Sequence, residues 1–391
     1  MRHAAPAILG YAAVRLLGIA VLTKWAHVKG HGVWPQLANQ WDSRWYLGIA
    51  DQGYDDVLTG AHPHNNLAFF PLYPMLVKAV AAVTPGSRAS VGLLLSLAAS
   101  LIAAWGIFAV GDRLYGRRVG VIVAVLWGAT PVAIVQSMGY TESLFTALAA
   151  WSLYAVLTER WVWAGWLSFL AGLTRPTGVA VAAAVSIAGV AALIAHRRGT
   201  NSGKNSGTNP GENQNSGGDP QPTAHPARIA LGALLAPLGW LGYLVWVGHR
   251  LGRWDGYLAV QRAWTNEWDG GADTLRNLRW ILAYEPRPQM FLIVVSLCLI
   301  AAPVLYLRSL AARQPLPLLV FTGVLLLIVL GSGGVFFPRA RFLLPGFPLL
   351  LPAAVAIARA TARTRALVLG GVVLSSAYLG AYMALVWPSA P

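Results

Sequence analysis

The residues best suited to chemistry lie in the stretch 41–54, which reads WDSRWYLGIADQGY. Within it, Asp42 directly follows Trp41 and precedes Trp45 by three positions. Indole rings that exclude water raise the proton affinity of a carboxylate, which suits it to act as a general base toward a hydroxyl. Asp42 is therefore the candidate catalytic residue. The alternative is that Asp42 only caps a short helix whose tryptophans anchor the chain at a membrane interface.

The same stretch and the sequence after it supply further candidates for substrate contacts. Arg44 and the two tryptophans lie beside the aspartate, and Asp51 and Tyr54 follow it. Tyr73 belongs to a second aromatic block, FFPLYP, at residues 69–74. These side chains are predicted to bind the substrate. Asp51 also fits a solvated loop carboxylate, and the aromatic block also fits a proline-stiffened interfacial turn.

Four charged residues further along the chain are also candidates for the site. Glu142 begins an apolar segment, Arg175 lies between two apolar runs, and Arg339 and Arg341 alternate before another. Glu142 could bind substrate or orient a partner, but an acidic residue in a first turn also simply suits the helix dipole. Guanidinium groups suit a phosphate, and they equally anchor helix ends at lipid headgroups.

The sequence predicts no metal site and no cofactor. Asp55 and Asp56 are adjacent, and His62 and His64 flank a proline, yet neither pair has a further ligand at suitable spacing. Divalent metal dependence stays open. Cys298 is the single cysteine, which excludes an intrachain disulfide and a cysteine-based metal centre.

The composition is that of a membrane protein with several spans. Hydrophobic residues make up 56% and charged residues only 11% of the chain, and its mean hydropathy is +0.56. Soluble domains carry about 25% charged residues. The net charge of +15 comes from basic residues at the ends of apolar runs, which suits anionic headgroups and phosphate-bearing substrates. No nucleic-acid-binding motif accompanies this charge, so no nucleic acid is expected as a partner.

The apolar runs predict an all-α fold with about eleven membrane-spanning helices of ~20 residues. They cover residues 4–23, 90–110, 119–136, 141–157, 161–174, 176–195, 229–249, 290–307, 315–332, 342–358 and 366–387. Residues 24–66 form a first loop long enough to be functional. Segment 67–84 is predicted to be re-entrant or to lie on the membrane, because Pro71, Pro74 and Lys78 would interrupt a spanning helix.

Arginine-rich short loops predict a cytoplasmic amino terminus. Loops such as 111–118 and 359–365 carry three arginines each, and the positive-inside rule assigns such loops to the cytoplasm. Residues 24–66 and Glu142 then lie on the extracytoplasmic face of the cell membrane. The outer loop 250–289 is basic as well, so this topology depends on the short loops.

A polar segment divides the chain into two predicted modules. Residues 1–195 form an amino-terminal module that carries the motifs, and residues 229–391 form a carboxyl-terminal module. Between them, residues 196–228 are predicted to be a disordered cytoplasmic linker, because their Gly, Asn and Ser content cannot bury a core.

These motifs resemble the PIG-V family of the GT-C superfamily. The resemblance is carried by the stretch 41–54, by AFFPLYP, by GYTES at 139–143 and by TRPTG at 174–178, with a weaker echo in VQRAW at 260–264. The family consists of multi-spanning mannosyltransferases, whose eukaryotic members add the second mannose of glycosylphosphatidylinositol anchors. In similar GT-C enzymes an acidic residue of the first outer loop is essential, and Asp42 matches that position. Pro176 departs from the Arg-Ser-Asn-Gly of the eukaryotic members.

The resemblance implies transfer of mannose from polyprenyl-phosphate mannose to an extracytoplasmic hydroxyl, with inversion, to give an α-mannoside. No nucleotide sugar is expected, and the chain has no Rossmann-type glycine-rich loop to hold one. The acceptor stays open between a glycolipid, a lipoglycan and a protein, and membrane lipids are the other expected partners.

Two rival functions come from other classes of protein. A transporter or lipid flippase should carry ionisable residues within its spans, and Arg15 fits that description. A non-catalytic lipid-binding subunit would have the aromatic belts but would not need Asp42.

Overall fold

The structure is a computed structural model that describes residues 2–58, 65–205 and 224–390. These residues form helices and turns and contain no β-strand, only an isolated bridge between Trp268 and Ser332. The predicted all-α fold class is confirmed. The α-helices are α1 (Ala5–Val28), α2 (Val33–Ala38), α3 (Asp42–Gln52), α4 (Leu72–Ala81), α5 (Arg88–Tyr115), α6 (Arg117–Gly128), α7 (Glu142–Leu157), α8 (Trp161–Gly172), α9 (Gly178–Asn205), α10 (Pro226–Leu235), α11 (Leu238–Arg250), α12 (Gly256–Ala263), α13 (Ala272–Arg279), α14 (Met290–Ala311), α15 (Leu316–Gly331), α16 (Arg339–Phe342), α17 (Leu351–Arg359) and α18 (Ala362–Leu385). Short 3-10 helices cover Asn66–Ala68, Ala133–Ser137 and Phe347–Leu350, and a π-helical turn covers Trp280–Tyr284.

Six helical segments of the described chain are long and apolar enough to cross a membrane. They are Ala5–Val28, Arg88–Tyr115, Gly178–Arg198, Pro226–Arg250, Met290–Ala311 and Ala362–Leu385. Shorter apolar helices are Leu72–Ala81, Glu142–Leu157, Leu316–Gly331 and Phe347–Arg359. The chain is thus a helical membrane protein with several spans, and the number eleven stays a prediction.

Prolines and polar turns shorten two of the predicted spans. The run 119–136 is helical only as far as Gly128 and ends in a turn and the 3-10 helix Ala133–Ser137. The run 342–358 divides into α16, a 3-10 helix and α17, because Pro345, Pro348 and Pro352 lack the N–H that a continuous helix needs. The apolar pattern identified both runs but did not reveal where they break.

Segment 67–84 contains α4, whose ten residues rise only about 15 Å and cannot cross a hydrocarbon core of ~30 Å. Pro74 and Lys78 do not interrupt α4, whereas residues 67–71 lie outside it, and a re-entrant or membrane-lying segment stays a prediction. Pro71 precedes α4, and Pro74 lies in its first turn, where backbone N–H groups need no partner within the helix. Lys78 lies within the helix as well.

The first loop and the linker are both shorter than predicted. Helix α1 continues to Val28, and the following residues include α2 and α3, so 24–66 is a partly helical segment. At the linker, α9 continues to Asn205 and α10 starts at Pro226. Residues 206–223 lie outside the described part of the chain, and the predicted disorder there stays a prediction.

A close approach of two chain segments positions the start of α3. Gly139 N–H donates a hydrogen bond to the carbonyl oxygen of Leu37 at 2.8 Å. A Cβ on Gly139 would lie 3.2 Å from Ser43 Oγ and 3.3 Å from the carbonyl oxygen of Ala38, so only glycine fits without displacement. The motif that begins α7 therefore packs directly against the turn that carries Asp42.

The turn between α8 and α9 is fixed by tight helix packing. A side chain at Gly165 or Gly239 would overlap the backbone of the facing helix. Because both positions are glycine, α8 lies directly against α10 and α11. In addition, Trp240 Nε1 donates to the carbonyl oxygen of Pro176 at 2.9 Å, and Leu72 N–H donates to that of Leu173 at 2.9 Å. These bonds hold the turn that carries Arg175 against α4 and α11.

Candidate active site

A cavity of about 410 Å³ opens at the end of the helix bundle where α3 begins. Six parts of the chain contribute to its wall: the start of α3, residues 68–70, the turn 174–177, residues 261–266, residues 328–342 and Ala390. The lining residues include Asp42, Tyr46, Phe69, Arg175, Thr177, Gln261, Trp264, Arg339, Arg341 and Phe342. The candidate base and all three candidate phosphate-binding arginines therefore share one cavity.

Asp42 is the first residue of α3, and its carboxylate is directed to Arg341. Arg341 Nη2 donates to Asp42 Oδ2 at 2.5 Å, and the Asp42 side chain is 18% exposed. The Asp42 backbone N–H donates to the Tyr140 hydroxyl at 3.4 Å. Trp41, immediately before the helix, has a φ of 49°, a region that L-residues rarely adopt and that often marks functional sites. Asp42 lines the cavity, and Arg341 is the hydrogen-bond partner of its carboxylate.

Beneath the cavity wall, Glu142 links the two arginines that lie nearest Asp42. Its Oε1 is 2.7 Å from Arg175 Nη1 and 3.7 Å from Arg341 Nε, and Glu142 is 1% exposed. Arg175 Nη1 also donates to Thr141 Oγ1 at 3.0 Å. Both guanidinium groups lie over the Phe342 ring, with 5.5 Å for Arg175 and 5.3 Å for Arg341 to its centroid. Two carboxylates and two guanidinium groups thus form one buried, charge-balanced cluster.

Some polar atoms of this wall have no hydrogen-bond partner within the described residues. They are Nε and Nη1 of Arg341 and Oγ1 of Thr177, on side chains that are 6% and 7% exposed. Buried donors rarely remain without a partner unless they are reserved for a ligand, water or ion. Arg341 and Thr177 both line the cavity, and two N–H donors with a hydroxyl suit an anion with several oxygen atoms, such as a phosphate.

The electrostatic surroundings favour a proton acceptor at Asp42. Burial raises the pKa of Asp42 above its usual value, Arg341 opposes this rise, and the Glu142 carboxylate adds to it. Burial alone would lower the pKa of Arg341, but Asp42 and Glu142 outweigh it, so Arg341 stays charged. A carboxylate with a raised pKa is a stronger base near neutral pH.

Aromatic side chains form the opposite wall of the cavity. Phe69 and Trp264 line it, with their ring centroids 5.6 Å apart in an edge-to-face arrangement. Trp45, predicted to shield Asp42, instead stacks behind Phe69 at 5.6 Å, and Trp41 packs against the main core. The two tryptophans of the motif support the wall from outside.

Four other predicted contact residues lie away from the cavity. Arg44 donates to the carbonyl oxygen of Asn39, Asp51 pairs with Arg88, Tyr54 donates to the carbonyl oxygen of Phe69, and Tyr73 donates to that of Gly92. Each therefore holds a loop or a neighbouring helix in place.

Arg339 lines the cavity but is held by other partners. Its Nη2 lies 2.9 Å from Asp273 Oδ2, and its Nη1 donates to Thr274 Oγ1 at 2.5 Å. These contacts tie the start of α16 to α13. Arg339 therefore mainly fixes the shape of the cavity wall, because its charge is already paired with Asp273.

Thr177, Gln261 and Trp264 were not among the site residues predicted from the sequence. All three line the cavity. Thr177 lies in the TRPTG motif, and the other two lie in the echo at 260–264, so motif membership was the signal that could have found them.

For metals, the described residues contain no group of three or more His, Cys, Asp and Glu side chains that could hold an ion. His62 and His64 lie outside the described residues.

Comparisons with known proteins place this site in context. The family model for dolichyl-phosphate-mannose-protein mannosyltransferase matches residues 61–206. No curated protein matches the chain closely enough to count as a relative.

Among solved structures, the chain is similar to the Archaeoglobus fulgidus oligosaccharyltransferase AglB in complex with an inhibitory peptide and a dolichol-phosphate. The TM-score is 0.51 at 12% identity, over 97% of this chain and 56% of the other. The apo form of the A. fulgidus oligosaccharyltransferase matches with a TM-score of 0.48 at 14% identity, also over 97% and 56%. This chain thus spans about half the length of these structures. The family match covers residues 61–206, less than half of the chain, and the likeness to AglB is one of fold; neither singles out PIG-V.

Proposed function

We propose that this chain is a membrane mannosyltransferase that moves mannose from polyprenyl-phosphate mannose to an acceptor hydroxyl. The observation that carries the proposal is the cavity in which a partly buried carboxylate, Asp42, meets guanidinium groups, with N–H donors of Arg341 that have no partner among the described residues. Transfer from a lipid phosphate needs both kinds of group side by side: a base for the acceptor proton and cations for the departing phosphate.

In the proposed reaction each group has one task. Arg341, Arg175 and Thr177 bind the phosphate oxygens, and Asp42 takes the proton from the acceptor hydroxyl. The acceptor oxygen then forms a bond to C1 of mannose from the side opposite the phosphate. The bond between C1 and the phosphate oxygen breaks, and the phosphate leaves with the electron pair, stabilised by the guanidinium groups. Attack from the opposite side inverts the configuration at C1.

The comparisons support the donor class. The matching family is described by dolichyl-phosphate mannose, and the AglB structure contains a dolichol-phosphate. Phe69 and Trp264 offer flat apolar faces on which a sugar ring can stack. The PIG-V-like motifs, which contribute Asp42 and Arg175 to the cavity, favour an α-mannoside as product.

The proposal also includes an orientation in the membrane. The arginine-rich short loops favour a cytoplasmic amino terminus, which puts the cavity on the extracytoplasmic face of a multi-pass cell-membrane protein. The acceptor is a glycolipid, a lipoglycan or a protein on that face. Arg15, which had fitted a transporter, is buried and donates to Ser137 Oγ and the Gly128 carbonyl oxygen, as a helix-packing residue would.

The test is transfer of labelled mannose from polyprenyl-phosphate mannose by the purified full chain, with membrane glycolipids, lipoglycan and secreted protein as acceptors. The native chain should label one of them, and Asp42→Asn should reduce the rate by at least about a hundredfold, the usual contribution of a general base. Asp56→Asn is the matched control, because Asp56 also pairs with an arginine but is 84% exposed. Undiminished transfer by Asp42→Asn would remove Asp42 from its role, and no transfer by the native chain would contradict the proposal.

A further inference from the structure

Asp42 and Arg341 are paired with each other, but the proposed reaction needs each of them for another partner: Asp42 for the acceptor hydroxyl and Arg341 for the donor phosphate. Asp42 must accept a proton, yet its Oδ2 already accepts a hydrogen bond from Arg341 at 2.5 Å. Arg341 must bind the donor phosphate, yet one of its nitrogen atoms is committed to Asp42. In the structure as it stands, each group therefore limits the other.

The charge balance of the cluster adds a second constraint. Asp42 and Glu142 contribute two negative charges, and Arg175 and Arg341 contribute two positive charges. A phosphodiester that enters the cavity makes the cluster net negative, which is unfavourable where the surroundings exclude water. The least costly response is to move a guanidinium group away from a carboxylate and toward the phosphate.

The contacts identify which arginine is able to move. Arg175 is fixed by Glu142 at 2.7 Å and by Thr141 at 3.0 Å. Arg341 lies 3.7 Å from Glu142, and its Nε and Nη1 have no hydrogen-bond partner within the described residues. Arg341 is therefore the group whose partners can change.

We propose that the donor phosphate displaces Asp42 from Arg341, so that the base is released only when the donor is bound and the acceptor enters second. This inference rests on the proposed function and adds an order of binding to it. Once Arg341 has turned to the phosphate, Asp42 loses its neighbouring cation and gains proton affinity. The strongest base is thus present only in the donor complex, and the empty site is held in an inactive pairing.

Binding of polyprenyl-phosphate mannose to the full chain, measured by titration calorimetry without acceptor, tests this competition. Asp42→Asn removes the competing charge, so it should bind the donor about tenfold more tightly than the native chain, at the low end of coupling between close charge pairs. Asp56→Asn should bind like the native chain. Equal affinity of Asp42→Asn and native chain would overturn the competition while leaving donor binding, and with it the proposed function, intact. Absence of donor binding by every form would overturn both.

A second measurement follows the pH dependence of donor binding in the native chain and in Asp42→Asn. Asp42 is faced by Arg341, Arg175, Glu142 and the hydroxyls of Tyr46 and Tyr140. A phosphodiester has no second ionisation, so its own charge stays constant. As the pH falls and Asp42 is protonated, Arg341 becomes free, and donor affinity of the native chain should rise by about tenfold. The rise should be absent in Asp42→Asn, which assigns it to Asp42 and not to Glu142. A native affinity that does not change with pH would contradict the inference.

Discussion

The Glu142 carboxylate lies 2.7 Å from Arg175 Nη1, and both side chains are almost completely buried. Neither residue is near the other in sequence, and each begins or precedes a helix. Their pairing joins the start of α7 to the turn before α9, directly beneath the cavity. Glu142 thus supplies the fixed counter-charge that keeps a cation in the cavity wall.

Glu142→Gln should therefore destabilise the protein. Removing one partner of a buried ion pair leaves an uncompensated charge and costs about 3–5 kcal/mol. Thermal unfolding in detergent, followed by circular dichroism, measures the loss. Glu267→Gln is the control: Glu267 is exposed, so its loss should change stability by no more than about 0.5 kcal/mol. Equal melting of Glu142→Gln and native protein would argue against a structural ion pair at Glu142.

Arg341→Gln should shift the pH dependence of mannose transfer to higher pH. Arg341 lowers the pKa of Asp42, so its removal raises that pKa, and the base becomes protonated at a higher pH. The acidic limb of the kcat/KM profile reports the free enzyme and should move upward. Arg339→Gln serves as control, because Arg339 lines the same cavity but pairs with Asp273. A limb that stays in place in Arg341→Gln would mean that Asp42 is not the titrating base.

Trp264→Ala should weaken substrate binding more than it slows the chemical step. Its ring lines the cavity, and a sugar stacked on it would gain an energy on the scale of an aromatic contact, about 0.5–1.5 kcal/mol. A rise in KM of roughly two- to tenfold follows. Trp254 is 93% exposed and outside the cavity wall, so Trp254→Ala should leave KM unchanged. A loss confined to kcat would point to a role in chemistry instead.

Gly139→Ala should reduce both stability and transfer. The added Cβ would press on Ser43 Oγ and the Ala38 carbonyl oxygen, and overpacking of this kind costs about 1–3 kcal/mol. Because the displaced segment carries Asp42, activity should fall as well. Gly370→Ala is the control, since nothing lies within 4 Å of a Cβ there, and alanine in a helix interior should stabilise the protein slightly. A Gly139→Ala enzyme with native melting and native rate would show that the close approach is unimportant.

The fold class and several residues of the cavity could be predicted from the sequence. The ion pairs between those residues could not. Long apolar runs predict membrane helices because a bilayer imposes both length and composition, and that expectation is confirmed. Asp42 was recognisable because a charged motif is unusual in such a chain. Its contact with Arg341 could not be predicted, because no local sequence pattern encodes a contact between residues 299 positions apart.

The breaks within apolar runs were harder to predict for a related reason. Proline in α4 is tolerated in a first turn, whereas prolines after Phe342 interrupt the run. Both stretches are apolar and contain prolines. Whether a proline interrupts the helix depends on whether the N–H that it lacks would have been bonded within the helix. Likewise, the motif tryptophans were expected at the cavity surface, yet packing of residues 65–70 places Phe69 in front of Trp45.

The distance along the chain between Asp42 and Arg341 also has a consequence in time. When synthesis has reached the end of α9, Asp42 and Glu142 are already part of the chain. Arg341, whose guanidinium group completes the cluster, has not yet been made. The half-built protein therefore contains an acid without its counterpart. Assembly of the later helices brings Arg341 to Asp42 and completes the charge-balanced cluster.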